Sequence, residues 1–276
     1  MLTVKIKNND LYLYGTENFS IPETLDCGQA FRWETDDGKV WHGIAGNKYL
    51  ELYRDGDAVV FKNTSLLDFK SFWYNYFDLD RDYGAIIKAV TVNKTIAEAV
   101  DFAGGIRILN QDPWEALCSF IISQNNNIPR IKGIIERLCE NFGEKMDGYY
   151  GFPSAEKLAK LYPEDLEILR AGFRAKYIID AAKKVSNGTI NLEELRNLPY
   201  DKACESLMQI TGVGPKVADC ALLFSLGHIE AFPKDVWIKR AMDMLFDGEL
   251  PECAKPYAGI VQQYIFHYSR IKKIGY

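Results

Sequence analysis

Residues 207–235, LMQITGVGPKVADCALLFSLGHIEAFPKD, place a glycine turn, a lysine and an aspartate in one short stretch of chain. Apolar residues recur at helical spacing on both sides of the turn, so the stretch predicts a helix, a hairpin and a second helix. Glycine allows positive φ and close backbone approach. We therefore expect the successive N–H groups of Gly212, Val213 and Gly214 to bind an anion where the second helix begins, and the natural anion is a DNA phosphate.

Lys216 and Asp235 are the candidate catalytic residues of this stretch. Lys216 lies in the first turn of the second helix, where a cation opposes the helix dipole. Asp235 follows Pro233 at the expected start of the next helix, so both side chains can face one cleft. An amine that its surroundings keep unprotonated can attack a sugar carbon and pass through a Schiff base. A solvated lysine and an N-cap aspartate are the ordinary interpretations, but the combination of motifs in this order favours a catalytic site.

The apolar periodicity of the chain changes near residue 65. Before this point apolar residues alternate with period two between Asn, Asp and Gly turns, and after it their spacing is helical. The predicted fold class is α+β: a small N-terminal antiparallel β-sheet domain packed on a larger all-helical domain that contains the helix-hairpin-helix motif. We expect residues 1–105 to form the sheet domain with flanking helices, and residues 106–276 to form the helical domain.

The composition excludes several classes of protein. The six cysteines form no CxxC pair and are expected to be reduced core thiols, and the three histidines leave no credible metal-ligand set. The polar N-terminus and the lack of a long apolar run predict neither a signal peptide nor a membrane span. We expect a cytoplasmic, nucleoid-associated protein of prokaryotic origin.

The net charge of −5 argues against a DNA-binding protein, because contact with phosphates needs positive potential. That potential can be local, however, while acidic residues elsewhere balance the sum. We expect DNA binding to be weak and sensitive to salt. The basic clusters are Arg130, Lys132 and Arg137; Arg170, Arg174 and Lys176; Lys234, Lys239 and Arg240; and Arg270, Lys272 and Lys273.

Four segments together resemble one family of DNA repair enzymes. They are CGQAFRW at 27–33, QDPWEALCSFIISQNNNIPRIKGIIERLCENFG at 111–143, VGPKVADC at 213–220 and PYAGIVQQYIF at 256–266. Over nearly its whole length the chain is similar to the helix-hairpin-helix DNA glycosylases, and within them to the 8-oxoguanine DNA glycosylases of the eukaryotic-type branch. The four-cysteine iron-sulfur cluster of some members is excluded, because Cys253 is the only cysteine after Asp235.

The resemblance implies an enzyme that flips out and excises 8-oxoguanine and then cleaves the abasic site by β-elimination. Lys216 then attacks the anomeric carbon, and Asp235 stabilises the oxocarbenium-like sugar. Cys220 lies one helical turn after Lys216 and on the same helix face. The resemblance places the base between Cys220 and Phe266, with Gln262 contacting its pairing edge. Plain core packing is the alternative for Cys220 and Phe266.

Further positions match the family's contacts with the lesion and the duplex. Oxidation of guanine adds a hydrogen to an imidazole-ring nitrogen, and the Gly28 carbonyl matches the group that accepts it; a structural turn is the alternative. Asn125 matches the residue that enters the duplex where the base has left. Arg130 and Arg174 match the arginines that contact the orphaned cytosine. Phe173 stands at the wedge position, where the best-known members carry tyrosine, so discrimination of the opposite base is expected to be weaker.

The expected partner is double-stranded DNA containing oxidised guanine. We expect no cofactor, no metal, no membrane contact and no obligate protein partner, and we expect a monomer. The chain departs from the family pattern at Trp237, where relatives have a histidine near the DNA backbone, and at Ser269, where they have an aspartate beside the base pocket. The contacts made at these two positions are therefore not carried over.

Two other functions stay open at this point. The first is a helix-hairpin-helix glycosylase for another lesion such as an alkylated purine, which a panel of damaged duplexes would reveal. Lys216 counts against it, because members that simply activate water need no amine there. The second is a non-catalytic DNA-binding module that uses the hairpin only for phosphate. Equal affinity for damaged and undamaged duplex, without strand cleavage, would favour that function.

Overall fold

An antiparallel sheet forms the N-terminal part of the computed structural model, which describes residues 2–275. The strands are β1 (Thr3–Lys7), β2 (Asp10–Tyr14), β3 (Trp33–Glu34), β4 (Trp41–Ala45), β5 (Lys48–Asp55) and β6 (Ala58–Phe61). Their order across the sheet is β1-β2-β6-β5-β4-β3. The five longer strands confirm the predicted hairpins. The two-residue β3 was not predicted, because so short a segment shows no alternation.

Two of the hairpin turns have the backbone conformation that their sequences favour. Asn8 and Asn9 join β1 to β2 with φ angles of 51° and 69°. Gly46 and Asn47 join β4 to β5 with φ angles of 53° and 59°. Consecutive positive φ values are typical of type I′ turns, whose twist matches that of the flanking strands.

Helices account for most of the remaining chain. They are α1 (Ile21–Leu25), α2 (Leu66–Asp68), α3 (Tyr74–Tyr76), α4 (Tyr83–Val90), α5 (Lys94–Ala103), α6 (Pro113–Ser123), α7 (Ile128–Phe142), α8 (Ala155–Leu158), α9 (Arg174–Ser186), α10 (Leu192–Leu195), α11 (Tyr200–Leu207), α12 (Pro215–Ser225), α13 (Val236–Phe246) and α14 (Ala258–Lys272). Side-chain caps begin several of them: the Asp112 carboxylate accepts the Glu115 N–H at 2.8 Å before α6, and Asn127 accepts the Arg130 N–H at 3.0 Å before α7. The α+β class is confirmed.

The buried apolar side chains form two clusters. One fills the inner face of the sheet and includes Leu13, Trp33 and Phe61. The other fills the helical part and includes Tyr83 of α4 and Ile96 of α5, and α5 packs against α14. Helices α4 and α5, which precede residue 105, therefore share the helical core, and a domain division at residue 105 stays a prediction. Within residues 2–275 no helix is both long and apolar enough to cross a bilayer.

The fully buried amide of Gln29 joins these parts of the fold. Its Nε2 donates to the carbonyls of Thr24 and Arg107 at 2.9 and 2.8 Å, and its Oε1 accepts the Leu109 N–H at 2.9 Å. Gln111 then donates from its side chain to the Gln29 carbonyl at 2.7 Å. The turn after α1 is thereby fixed against the segment that leads into α6.

Arg107 anchors the same segment from its other side. Its Nε donates to the Phe77 carbonyl at 3.0 Å, and its Nη2 donates to the Arg81 carbonyl at 3.1 Å. The guanidinium carbon lies 4.1 Å from the centroid of the Tyr83 ring. Burial lowers the pKa of Arg107. The charge is therefore held by carbonyl dipoles and an aromatic face rather than by water.

Replacing Gln29 with leucine tests this junction. Gln29→Leu leaves the buried Leu109 N–H unpaired and removes a donor from two buried carbonyls, so we expect the free energy of unfolding to fall by roughly 2–4 kcal/mol. Urea denaturation measures the change. Gln209→Leu, at an exposed position, is the control and should alter stability by less than about 0.5 kcal/mol. Equal midpoints for the two variants would contradict the role given to Gln29.

Candidate active site

A cavity of about 60 Å³ lies between α12, α14 and the turn that follows α1. It collects side chains that are far apart in the sequence. The predicted site residues that line it are Gly28, Lys216, Cys220, Asp235, Gln262 and Phe266. The other lining residues are Cys27, Phe120, Phe224, Pro233 and Gln263. The structure therefore brings both candidate catalytic groups and all the candidate base-binding residues to one place.

Lys216 is the second residue of α12, and its half-buried side chain reaches the cavity. Its Nζ donates to Ser123 Oγ at 3.3 Å and lies 5.5 Å from the centroid of the Phe120 ring. Phe120 in turn stacks on Phe224, with ring centroids 5.4 Å apart. The amine is thus held at a defined position over the stacked rings of Phe120 and Phe224.

Cys220 forms the wall beside that amine, one helical turn along α12. Its side chain is buried, and burial raises the pKa of the Cys220 thiol to about 11, although the charge of Lys216 opposes the shift. The thiol is therefore neutral at physiological pH. A neutral, polarisable sulfur suits contact with a flat aromatic ligand, which stays a prediction here.

Asp235 caps α13 and lines the cavity at the same time. Its Oδ1 accepts the Ile238 N–H at 2.7 Å. The cap and the candidate site are compatible, because capping needs only one carboxylate oxygen. The helix dipole favours negative charge at this position, so the carboxylate is both oriented and electrostatically supported by α13.

The C-terminal helix α14 supplies the opposite wall through Gln262, Gln263 and Phe266. Gln262 Nε2 donates to the Pro233 carbonyl at 3.1 Å, and Gln263 Nε2 donates to Gln262 Oε1 at 2.7 Å. Pro233 lies two residues before Asp235. The amides therefore tie α14 to the segment that presents the carboxylate.

Gly28 lies in the turn that closes the cavity and has φ of +82°, in the left-handed region that favours glycine. A Cβ at this position would lie 4.0 Å from Phe266 Cε1 and 4.0 Å from Ile128 Cδ1, which is ordinary contact. The left-handed backbone conformation favours glycine here, whereas the neighbouring protein side chains would leave room for a Cβ. The acceptor role of the Gly28 carbonyl stays a prediction.

The hairpin between α11 and α12 packs closely against Tyr177 at Gly212. Gly212 has φ of +80°, and a Cβ there would lie 2.4 Å from the Tyr177 ring, so no larger residue fits. Val213 differs from expectation, because its N–H donates to the Ile210 carbonyl at 3.0 Å and its side chain is buried. The expected row of three N–H groups is thus reduced to Gly212 and Gly214 as candidates for phosphate binding.

Asp180 of α9 fixes this hairpin from below. Its carboxylate accepts the Thr211 N–H at 2.7 Å and pairs with Lys184 at 2.8 Å. Partial burial raises the pKa of Asp180, but the hydrogen bonds from Lys184 and Thr211 outweigh burial and lower the pKa overall. Lys184 also donates to the Gln209 carbonyl at 2.6 Å. Neither Asp180 nor Lys184 was predicted, because only the tertiary fold places α9 under the hairpin.

The residues expected to contact the duplex do not line the cavity. Asn125 is exposed in the loop between α6 and α7, with a left-handed φ of 47°. Arg130 is exposed, and its Nη2 lies 3.5 Å from the Arg170 carbonyl. Phe173 is 48% exposed, so its ring is available to a ligand. These positions suit the expected DNA contacts, which stay predictions.

Arg174 is only 3% exposed, although contact with a base requires an accessible guanidinium. Its Nε donates to the Gln124 carbonyl at 2.8 Å, its Nη2 to the Asn125 carbonyl at 2.9 Å, and its Nη1 to the Ala171 carbonyl at 3.1 Å. Burial lowers the pKa of Arg174, with a further contribution from Arg130. In this structure Arg174 holds the Asn125 loop, and its expected base contact would require rearrangement.

Several residues around the cavity were not predicted from the sequence. Ser123 and Phe120 contact the amine from α6, and Pro233 acts through its carbonyl, which no sequence pattern marks. Gln263 did leave a signal, since two consecutive amides in IVQQYIF are unusual in an otherwise apolar helix. The pattern shows that a polar contact is buried there but not which groups meet.

The cysteines are free thiols, and all but Cys253 are buried, as expected for reduced core residues. Among residues 2–275 no group of three or more His, Cys, Asp or Glu side chains is arranged to hold a metal ion. The side chains that line the cavity present an amine, a carboxylate, thiols and amides.

Two family descriptions match the chain. Residues 12–117 match the 8-oxoguanine DNA glycosylase, N-terminal domain, and residues 118–250 match the HhH-GPD superfamily base excision DNA repair proteins. A crystal structure of Clostridium acetobutylicum 8-oxoguanine glycosylase/lyase, in complex with double-stranded DNA containing cytosine opposite 8-oxoguanine, is 40% identical, with a TM-score of 0.92 and 99% of each chain covered.

Curated relatives are longer than this chain. The N-glycosylase/DNA lyase of Saccharomyces cerevisiae is 35% identical over 80% of this chain and 66% of the relative. The N-glycosylase/DNA lyase of Arabidopsis thaliana is 31% identical over 79% of this chain and 64% of the relative. The chain thus spans slightly less than two thirds of these relatives.

The protonated state of Cys220 predicts low reactivity towards alkylation. With a thiol pKa of about 11, about one thiol in a thousand is ionised at about pH 8, and the side chain is also buried. We expect iodoacetamide to modify the half-buried Cys253 before Cys220 in the folded protein, as measured by mass spectrometry of peptides. In urea both cysteines should react. Fast alkylation of Cys220 without denaturant would contradict the burial described.

Proposed function

The chain belongs to the 8-oxoguanine DNA glycosylase family within the HhH-GPD superfamily of base excision DNA repair proteins, and from this premise we propose that it excises 8-oxoguanine from duplex DNA and cleaves the resulting abasic site. The observation that carries the proposal is one cavity lined by an amine, a carboxylate and apolar walls, from Lys216, Asp235, Cys220 and Phe266. The substrate is the one named for the Clostridium relative. We further propose that the protein acts on the duplex as a monomer.

The first step is capture of an extruded base. A volume of about 60 Å³ holds about two water molecules, which is much less than a bicyclic base. The cavity must therefore widen on binding. Phe266 is the half-buried wall of the cavity, whereas Cys220 is fixed within α12, so we propose that Phe266 moves and closes over the base. The Gly28 carbonyl accepts the imidazole-ring hydrogen that distinguishes 8-oxoguanine from guanine.

The second step is cleavage of the glycosidic bond. Lys216 attacks the anomeric carbon through the unprotonated form of its amine as the bond to the base breaks. The base leaves with the bonding electron pair and takes up the proton that the newly attached nitrogen loses. Positive charge develops on the sugar in the transition state. The Asp235 carboxylate, oriented by the capping bond to Ile238, stabilises that charge.

The third step cleaves the DNA strand. The amine linked to the sugar opens the ring to a protonated Schiff base, which makes the neighbouring C2′ hydrogen acidic. Loss of that proton breaks the C3′–O bond and releases the 3′ phosphate by β-elimination. Hydrolysis of the Schiff base then returns Lys216 as a free amine.

Duplex binding surrounds this chemistry. Gly212 and Gly214 offer N–H groups to a phosphate at the start of α12, where the helix dipole adds positive potential. Asn125 fills the space left by the extruded base, and Phe173 acts as the wedge. Arg130 contacts the orphaned base directly, while Arg174 positions the Asn125 loop and joins that contact on rearrangement.

Removal of the nucleophile should abolish covalent capture. With an 8-oxoguanine duplex and borohydride, the native protein should form a reduced protein–DNA adduct that migrates slowly on a denaturing gel. Lys216→Gln keeps a hydrogen-bonding side chain beside Ser123 but has no amine, so neither adduct nor strand cleavage is expected. Lys255→Gln, at an exposed residue outside the cavity, is the matched control and should form the adduct normally. An adduct with Lys216→Gln would assign the nucleophile to another residue.

Loss of the carboxylate charge should slow chemistry without loosening the fold. Asparagine caps helices as well as aspartate does, so Asp235→Asn should keep its stability and its affinity for the lesion duplex. Single-turnover excision should fall by roughly 10²-fold or more, because the charge on the sugar is no longer opposed. Asp82→Asn, the same change at the N-cap of α4, should leave excision unchanged. Equal rates for Asp235→Asn and the native protein would remove the electrostatic role.

A further inference from the structure

Two adjacent buried amides form part of the cavity wall on α14. Gln262 is 4% exposed and Gln263 is 3% exposed, and both line the cavity. Side-chain amides are uncommon in such surroundings, because burying them requires that their donors and acceptors be paired. Gln263 has no role in the chemistry described above. Its contacts nevertheless lead directly to Gln262.

The hydrogen bonds of this pair run in one direction. Gln263 Nε2 donates to Gln262 Oε1 at 2.7 Å, and Gln262 Nε2 donates to the Pro233 carbonyl at 3.1 Å. A proline carbonyl can only accept, so the nitrogen of Gln262 must face it. The oxygen of Gln262 must then face Gln263. The network therefore assigns the amide orientation without ambiguity.

The Pro233 carbonyl opposes the reversed orientation of Gln262, because that orientation would bring two carbonyl oxygens together. Gln263 does not select the orientation, since its own amide could turn and present an oxygen to the Gln262 NH₂ group. The hydrogen bond from Gln263 instead holds the Gln262 side chain at one position, and it is the contact that a side-chain substitution can remove.

The fixed amide leaves a defined pattern for a ligand. One N–H on Gln262 Nε2 and one lone pair on Oε1 remain unused by the protein contacts described. A guanine-type edge presents a donor at N1 and an acceptor at O6, whereas an adenine-type edge presents an acceptor at N1 and a donor at N6. For a base held at one position, an amide whose N–H and oxygen are fixed can pair with only one of these two edges. The other edge would place donor against donor and acceptor against acceptor.

We propose that Gln263 is a positioning residue that fixes the amide of Gln262 and thereby makes the cavity select a guanine-type over an adenine-type pairing edge. The inference rests on the proposed function, in which Gln262 faces the base. Gln263 Oε1 has no hydrogen-bond partner among residues 2–275, which carries a desolvation cost that an apolar side chain would avoid. An amide at this position is therefore explained by its donor and not by packing.

The matched substrates are duplexes containing 8-oxoguanine or 8-oxoadenine. Both lesions carry the same carbonyl at C8 and the same hydrogen at N7, so they differ at the pairing edge and not at the edge that the Gly28 carbonyl contacts. The measurement is the ratio of kcat/KM for the two lesions. Gln263→Met keeps an unbranched side chain of similar length without a donor. We expect it to lower the ratio at least ten-fold, with loss on 8-oxoguanine and no comparable loss on 8-oxoadenine.

Tyr264→Phe is the control for perturbing this part of α14. Tyr264 is the next buried residue, and its hydroxyl has no hydrogen-bond partner in the described part of the chain, so its removal should leave both stability and the ratio unchanged. Gln263→Ala is the second variant, which avoids any overpacking by methionine and should lower the ratio in the same direction.

The outcomes separate this inference from the proposed function. A native protein that excises neither lesion overturns the proposed function itself. If the native protein excises both lesions equally well, the proposed selectivity is wrong. If the Gln263 variants lose kcat/KM equally on both lesions, Gln263 only supports the structure and the positioning role is wrong. A ratio that falls in Gln263→Met and Gln263→Ala but not in Tyr264→Phe supports the positioning role.

Discussion

The buried amide of Gln29 is the contact on which the site depends most. It fixes the turn that contains Gly28 against the segment around Leu109, and Gln111 extends the network to the Phe224 carbonyl at the end of α12 through its N–H at 3.0 Å. The turn after α1, the entry to α6 and the end of the helix that carries Lys216 are thereby held together. Because each buried polar group is paired only in this arrangement, small displacements of these elements are costly.

The cavity combines polar groups with an apolar frame. Lys216 rests on the Phe120 ring, which is itself stacked on Phe224, and Cys220 adds a neutral thiol. Electrostatic interactions are stronger in such surroundings than in water, so a single carboxylate such as Asp235 can stabilise developing charge effectively. In the proposed function, the same frame holds the aromatic base by contact area and the amides of α14 form the directional hydrogen bonds to it.

Several residues serve the fold and the site at once. Asp235 caps α13 with one oxygen and faces the cavity, so its ordinary structural role is also what orients it. Arg174 likewise holds the Asn125 loop by bonds to backbone carbonyls, although its sequence position suggested a contact with DNA. The sequence around each of these residues indicates a single role. The fixed position of the residue in the fold is what allows it to stabilise the structure and serve the site at the same time.

The sequence by itself determined the sheet, the helices, the hairpin and the two candidate catalytic residues Lys216 and Asp235, because turn residues, periodicity and short motifs are local signals. The other four predicted cavity residues, Gly28, Cys220, Gln262 and Phe266, came from the family resemblance. The sequence did not show that the Val213 N–H donates within the hairpin, that Arg174 is buried, or that Gln263 donates to Gln262. Those facts depend on which elements meet. A hydrogen bond between residues distant in the chain leaves no periodic trace, so only the tertiary structure decided them.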